Sequence, residues 1–450
     1  MSEKEVGRTG LTVPAGGATA RRAMPWLAGL LLAGAAAYFA LTMWQRWPVQ
    51  NGWDFANDWL AVKGMRTGLS LYDADGLHRF AQPFVEVPAR DAHFVGVFGG
   101  FDNLPPTALI IWPFTFWPFP VALNLYRLLL MIIFAGAIAL TGQALRPADR
   151  RAGWFWGAMG ALLLQPIALS ISLGQVDAWI MLGLAVAVVA VSRRAWLGAG
   201  AGAGLAGVLK LSPLLLVGYL VLQRRWQAAV GAGLVVFGAL GMAALIGPPG
   251  DLWLWVSRVM PTLSAGSLSM GNQSLPGWLA RLFLPETNFL YMTIDLGPWR
   301  WLSPLLALVA LAVIWSVSRR EPLHPLAIAL VILSTVLIGP IAWPQYAAWA
   351  LIPLVLMADR RLWATWRRRH QIELLGLLVL GGVLMNLPVK LFDPASIAAQ
   401  PLLRLATGTV TLGLLLWFGV GLALLARAQE SPNAQPMAAE EPGTALYIKP

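Results

Sequence analysis

Two carboxylates, Asp54 and Asp58, sit four residues apart in the run Trp53-Asp54-Phe55-Ala56-Asn57-Asp58-Trp59. In a helix the i and i+4 positions share one face, so both acids would point the same way beside aromatic side chains. Ionised carboxylates accept protons and hydrogen bonds, and this face is the first candidate for chemistry. A plainer role is also open, with Asp54 as a helix N-cap and Asp58 as a first-turn acid. Lys210 is the second candidate. It interrupts the apolar run Leu205-Ala206-Gly207-Val208-Leu209-Lys210-Leu211-Ser212-Pro213, with no acid near it in sequence. An ionisable group inside a membrane segment is costly and is a functional candidate by default. It reads as a cation for a lipid phosphate or a loop carboxylate, or as a lysine snorkelling at a helix break. Smaller polar groups complete the set: Gln175 and Asp177, Asn272 and Gln273, Gln345 and Tyr346. Caps and turns explain any one of these singly. His78 and His93 lack a metal-ligand spacing such as HExxH, and no protein-bound metal is expected.

The elements that must position these residues are membrane helices. The 450 residues are 58% hydrophobic and only 12% charged, against about 25% charged in ordinary soluble domains. Mean hydropathy is +0.66, and several apolar runs approach the roughly 20 residues that cross a bilayer. The 23 Trp residues suit interfacial belts. The absence of Cys excludes disulfides, thiolate metal sites and Cys nucleophiles. A net charge of +11 could mean nucleic acid. Its placement in short connections instead fits the retention of Lys and Arg on the cytoplasmic side, so no nucleic-acid partner is expected. No Gly-rich loop follows a strand and no GxSxG elbow occurs, which leaves nucleotide and serine-hydrolase readings unsupported.

The basic connections are Arg146 to Arg151, Arg193-Arg194, Arg224-Arg225, Arg319-Arg320, Arg360-Arg361 and Arg367 to Arg369. Placing them inside puts the long polar stretch at 46–106, with five bases and seven acids, outside. The parity of crossings then makes Pro106 to Pro120, punctuated by proline, a half-length surface helix before a full span at Val121 to Gln143. Further spans are expected at 153–172, 175–192 and 228–246, with two short helices broken at Lys210 and packed through Gly198, Gly200, Gly202, Gly204 and Gly207. Helices near 301–318, 325–342, 345–358, 371–389 and 403–426 follow. The expected architecture is an all-α polytopic membrane protein of about 12 transmembrane helices with juxtamembrane helices on the outer face. Residues 1–24 read as a cytoplasmic tail, 25–426 as one transmembrane domain with outer loops at about 46–120 and 247–300, and 427–450 as a disordered cytoplasmic tail. Both termini then lie inside a cytoplasmic membrane. Every polar candidate maps to the outer end, where an aromatic-lined pocket suits a sugar and a lipid phosphate.

Seven blocks, in order, resemble glycosyltransferase family 87 of the GT-C superfamily (the DUF2029 mannosyltransferases). They are Asp54-Phe55, Gly68-Leu69-Ser70-Leu71-Tyr72-Asp73, Leu104-Pro105-Pro106 with Pro113 and Pro118, and Leu173-Gly174-Gln175. Then come Leu209-Lys210-Leu211-Ser212-Pro213, Asn272-Gln273-Ser274-Leu275, and Pro340-Ile341-Ala342-Trp343-Pro344-Gln345-Tyr346. The chain departs from the family pattern at Leu104, where Tyr is usual, at Asn57-Asp58, where aromatics are common, at Asp177, where Asn is more usual, and at Gln345, where His is frequent. The resemblance implies a GT-C-type bundle and, without a cofactor, transfer of a sugar, mannose in the family, from a polyprenyl-phosphate donor to a glycan or glycolipid acceptor. It implies an inverting reaction at the outer face of the membrane. Asp54 would then be the general base, with Asp58 as helper or acceptor-binding residue. Lys210, with Arg66 second, would face the departing phosphate. Gln175, Gln273 and Gln345 would hold sugar hydroxyls, with Asp177, Asn272 and Tyr346 in the same pocket. A transporter or lipid flippase would use similar broken helices, but inverted repeats, its usual sign, are missing.

Overall fold

The computed structural model of the chain describes residues 16–84, 87, 101–284, 295–388 and 400–430. Among them every regular element is helical. His93, Glu86, Arg90 and Asp91 lie outside the described residues, as do 1–15 and 431–450 of the two expected tails. The helical part is longer at both ends than expected. Helix α1 runs from Gly16 to Arg46, since Ala18, Ala20, Arg21, Arg22 and Ala23 all favour helix. The final helix runs to Glu430, where Arg427 pairs with it one turn back at 2.7 Å.

After α1 come α2 (Trp53–Met65) and α3 (Ala74–Ala81), then α4 (Thr107–Ile111), which tightens into a 3-10 turn over Trp112–Phe116. Pro113 and Pro118 remove backbone donors, so this piece stays short before α5 (Phe119–Gly142). The span expected at 153–172 is two helices, α6 (Pro147–Leu163) and α7 (Gln165–Leu173), bent by 62°. Pro166 cannot continue a helix, and Leu164 takes an extended conformation in the break. The side-chain oxygen of Asn386 accepts the freed N–H of Gln165 at 2.6 Å.

Helices α8 (Asp177–Ser192), α9 (Trp196–Leu209), α10 (Leu215–Leu222) and α11 (Trp226–Ile246) follow. A Cβ on Gly200 would lie 1.8 Å from the carbonyl oxygen of Ala228, and one on Gly202 would lie 2.5 Å from that of Gly183. Only glycine allows α9 to pack this closely between α8 and α11. The next loop carries α12 (Asp251–Leu254), α13 (Met260–Ala265) and α14 (Leu275–Phe283). Then come α15 (Leu302–Val317), α16 (Pro325–Ile338), a 3-10 turn at Pro344–Ala350 leading into α17 (Leu351–Leu356), α18 (Arg360–Ala364) and α19 (Arg368–Asn386). Helices α20 (Pro401–Ala406) and α21 (Thr409–Glu430) close the fold.

Helix α16 is buried from Pro325 to Leu337 and is the centre of the bundle. Helices α1, α11 and α15 instead expose Leu30, Leu41, Leu234, Phe237, Leu305 and Leu308, as membrane-facing helices do. Among the described residues five helices are long and apolar enough to cross a bilayer, and six if the bent pair is one span. The other apolar segments are shorter helices, among them α8, α9 and α16. The expectation of about twelve crossings counts such short and broken pieces as spans.

Candidate active site

Helix α2 is held by its aromatic residues. Phe55 stacks on Tyr126 at 4.7 Å and on Phe119 at 6.1 Å. One turn on, Trp59 meets Phe84 and Phe119 edge-on, and its indole N–H donates to the carbonyl of Phe114 at 3.1 Å. With Phe55 and Trp59 fixed at i and i+4, the neighbouring face presents Asp54 and Asp58 together. Asp54 is half-buried and Asp58 is buried.

A second element meets that face. Helix α7 ends at Gly174 with φ +72, and a Cβ there would lie 2.5 Å from the Cβ of Phe55. A residue without a side chain is required for both reasons. The turn delivers Gln175, whose side-chain amide donates to Asp54 Oδ2. Two residues further, Asp177 opens α8, fully buried. Its Oδ2 accepts from Ser170 Oγ at 3.3 Å, and its Oδ1 lies 3.4 Å from Lys210 Nζ. Lys210 reaches it because the residue is extended between α9 and the 3-10 turn Ser212–Leu214, with Pro213 preventing continuation. The ammonium also sits 3.2 Å from the ring centre of Tyr346, which stacks on Trp349. Asp54, Gln175, Asp177, Lys210 and Tyr346, from four separate stretches of chain, thus form one polar sequence. Gln345 is buried in the same turn as Tyr346.

Sequence reasoning passed over Asp102 and Asn103. The amide of Asn103 donates to both oxygens of Asp58, at 3.1 and 3.2 Å. Its carbonyl accepts from Tyr72 Oη at 2.8 Å, which ties this segment to the Leu71-Tyr72-Asp73 block. Burial raises the pKa of Asp58 well above the carboxylate range, with the charges of Asp54 and Asp102 adding to it. Burial also raises Asp54, against the hydrogen bond from Gln175 and the charge of Lys210. Asp102 is pushed up to about 7, first by desolvation and then by the charge of Asp54. Asp102 is nevertheless exposed, so solvent screens part of that rise. The charge of Lys210 opposes the rise at all three acids, so ammonium and carboxylates share one electrostatic site. The position of Asp102-Asn103 directly before Leu104-Pro105-Pro106 was the available signal.

Three expected site residues make their side-chain hydrogen bonds outside that polar sequence. Arg66 lies twelve residues after Asp54, about 18 Å along α2 at 1.5 Å per residue. Its guanidinium donates to Thr115 and lies 4.0 Å from the ring centre of Phe116. Asn272 is buried and its amide is spent on backbone: it donates to Ser267 and Pro340 carbonyls and accepts from Ser274 and Ala342 N–H. Gln273, also buried, donates to the carbonyls of Met270 and Thr407. In this structure both amides fasten the loop before α14 to the Pro340 break and to α20. Arg127, which sequence reasoning also passed over, is buried and donates to the backbone carbonyls of Ser172, Trp47 and Pro48, pinning the end of α7 beside α2. Among the described residues no group of three or more His, Asp or Glu is arranged to hold a metal ion.

The model of glycosyltransferase family 87 matches residues 103–344. That stretch contains Gln175, Asp177, Lys210, Asn272 and Gln273, while Asp54 and Asp58 precede it. A polyprenol-phosphate-mannose-dependent alpha-(1-2)-phosphatidylinositol mannoside mannosyltransferase of Mycobacterium tuberculosis is 28% identical over 300 residues, 62% of this chain and 66% of that protein. A polyprenol-phosphate-mannose-dependent alpha-(1-2)-phosphatidylinositol pentamannoside mannosyltransferase of Mycolicibacterium smegmatis is 26% identical over 264 residues, 57% of this chain and 60% of that protein. The similarity therefore spans less than two thirds of each relative's length, 66% of the first and 60% of the second.

Proposed function

The chain belongs to glycosyltransferase family 87, and from that premise we propose that it is a membrane mannosyltransferase. It takes mannose from a polyprenyl-phosphate donor and passes it, with inversion, to a hydroxyl of a glycan or glycolipid. The relatives named above for phosphatidylinositol mannosides support a lipid-linked mannoside as the acceptor class. The site faces the outer side of the cytoplasmic membrane in a bundle of about twelve crossings with both termini inside. The clustering of Arg in the connections at the opposite end of the helices from α2 supports that orientation.

The observation that carries the reading is the polar sequence from Asp54 through Gln175 and Asp177 to Lys210. It sets a proton acceptor and a fixed cation at the two ends of one short array. In the reaction the acceptor oxygen forms a bond to the anomeric carbon and its proton passes to Asp54. The bond from that carbon to the phosphate oxygen breaks, and the polyprenyl phosphate keeps the electron pair. The leaving group gains one negative charge, and Lys210 stabilises it in place. Asp177 holds Lys210 at the site. A phosphate leaves without needing a proton, so one carboxylate suffices where a glycoside hydrolase uses two. Asp58 and Asn103 line the acceptor side, and Gln175 orients Asp54.

Transfer from labelled polyprenyl-phosphate-mannose by the purified protein tests the reading. A flippase or a structural partner releases no mannosylated product. Asp54→Asn is expected to lower turnover about 10²–10⁴-fold, the usual worth of a general base. Full activity in that variant removes the assignment, and loss in Asp58→Asn alone moves it to Asp58.

A further inference from the structure

At the arginine-rich end of the bundle, away from Asp54, a cavity of about 520 Å³ lies between three turns. The α8–α9 turn supplies Arg193, Arg194 and Trp196, the α10–α11 turn supplies Arg225, and the α15–α16 turn supplies Arg320 and Glu321. Four guanidinium groups thus face one carboxylate. The same end of the bundle shows what a neutralised cluster looks like. There Arg146, Arg360 and Arg361 each lie within 3.5 Å of Asp149 or Asp359. In the cavity, by contrast, Arg193 donates to the side-chain carbonyl of Gln143 at 2.9 Å, and Arg225 lies 4.4 Å from the ring centre of Trp196. Arg320 donates to the backbone carbonyl of Gln429. Among the described residues none of the four has a carboxylate in ion-pair contact.

Retention of Arg on one side of a membrane requires basic residues near helix ends. It does not require them to converge on one concave, aromatic-walled space. The convergence is built from within: glycines at Gly200 and Gly204 bring α9 against α11, and Tyr219 Oη donates to the Pro322 carbonyl at 2.7 Å, fastening the third turn to α10. Arg194 in the α8–α9 turn and Arg224 in the α10–α11 turn both adopt the left-handed conformation, at φ 57 and φ 59. Trp226 and Trp315 are exposed on the neighbouring membrane-facing helices α11 and α15, and exposed indoles favour headgroup depth.

We propose that this arginine cavity binds the phosphate of an anionic phospholipid headgroup in the inner leaflet, at a site separate from the sugar-transfer site. The inner-leaflet assignment rests on the orientation proposed above. The ligand chemistry rests on the cavity alone. Guanidinium groups offer several N–H donors to phosphate oxygens, and Trp196 supplies an apolar wall for the glycerol backbone.

The test uses the full chain, purified and delipidated, with lipid retention read by native mass spectrometry. Phosphatidylglycerol is expected to bind more tightly than phosphatidylcholine of the same acyl chains. Removing two near-surface arginines in Arg193→Gln/Arg225→Gln should weaken phosphatidylglycerol about 30-fold and leave phosphatidylcholine unchanged. The charge-keeping Arg193→Lys/Arg225→Lys variant should lose far less, which separates a ligand effect from misfolding. Glycerol 3-phosphate is the soluble arm. If it binds as tightly as the lipid and is lost in the Gln variant, the cavity takes its phosphate from solution; if only the lipid binds, the source is the membrane. Equal retention of the two lipids, or equal phosphatidylglycerol retention in wild type and the Gln variant, overturns the proposal. Orientation is read separately. The chain has no Cys, so Gln223→Cys should react with an impermeant maleimide only in inside-out vesicles. Reaction from outside would reverse the topology and leave the binding result to stand by itself.

Discussion

Lys210 and Asp177 are a buried ion pair, with side-chain exposures of 14% and 0%, and that fixes how substitutions there should behave. Removing one partner of such a pair leaves an uncompensated charge and costs about 3–5 kcal/mol, whereas removing both costs much less. Lys210→Met is therefore expected to lower thermal stability in detergent. Lys210→Met/Asp177→Asn should recover most of that loss without recovering turnover, because in the proposed reaction the phosphate then still lacks its cation. A double variant that restored activity would reduce Lys210 to a structural ion. The acids nearby set the pH response. In the proposed reaction Asp54 must be ionised to accept the proton, and its raised pKa places the acid limb of the rate profile above the ordinary carboxylate value of 3.8. Asp102 becomes anionic only as pH passes about 7, where its charge opposes an anionic donor. Donor KM should rise above that pH in the wild type and stay flatter in Asp102→Asn. The sign for stability follows from the same shift. The folded state holds this proton more tightly than the unfolded chain, so the contribution is complete below 3.8 and lost as pH rises through about 7.

The elements that bring these side chains together are short and interrupted, and glycine decides where they touch. Gly200 has no room for a Cβ against Ala228, while a Cβ on Gly218 in α10 would meet nothing within 4 Å. Gly200→Ala should therefore cost about 1–3 kcal/mol or more through overpacking. Gly218→Ala should be neutral or gain up to about 1 kcal/mol from helix propensity. Thermal unfolding of the two variants measures the difference, and equal effects would mean that the α9–α11 contact is not close. The break at Lys210 and the proline-limited α4 were legible as pieces, because Pro and a lone charge punctuate apolar sequence. The 62° bend between α6 and α7 was missed. Pro166 was visible in the sequence, but an N–H freed by a break is tolerable only with a partner, and that partner is Asn386, more than two hundred residues away.

Across the whole molecule the second polar loop acts as a fastening. Asn272 makes four hydrogen bonds to backbone groups, bridging its own loop to Pro340 and Ala342. Each buried group left unpaired costs about 1–3 kcal/mol, so Asn272→Ala should lower stability with a smaller change in donor KM. A large KM change at unaltered stability would return Asn272 to the sugar-binding set. Arg281 does similar work, among the described residues without a carboxylate partner, donating to Thr407 and to the Ser269 carbonyl, and burial lowers its pKa to about 9. The two ends of the bundle thus differ in kind. One gathers carboxylates around the ammonium of Lys210, and the other gathers arginines around a cavity.

Composition and periodicity by themselves determined that this is a helical membrane protein, because burial cost forbids a soluble solution for so apolar a chain. Spacing alone also determined that Asp54 and Asp58 share a helix face and that Lys210 falls at a break, since both follow from local backbone geometry. Only the tertiary structure decided which polar residues meet. Gln175 reaches Asp54 through the left-handed turn at Gly174, Asp177 receives Lys210 across the α8–α9 pair, and Asn103 arrives on Asp58 from a loop without periodicity. Asn272 and Gln273 look the same in sequence as Gln175, yet the side-chain hydrogen bonds they make all go to backbone. A hydrogen bond depends on where the partner chain passes, and local sequence does not encode that path.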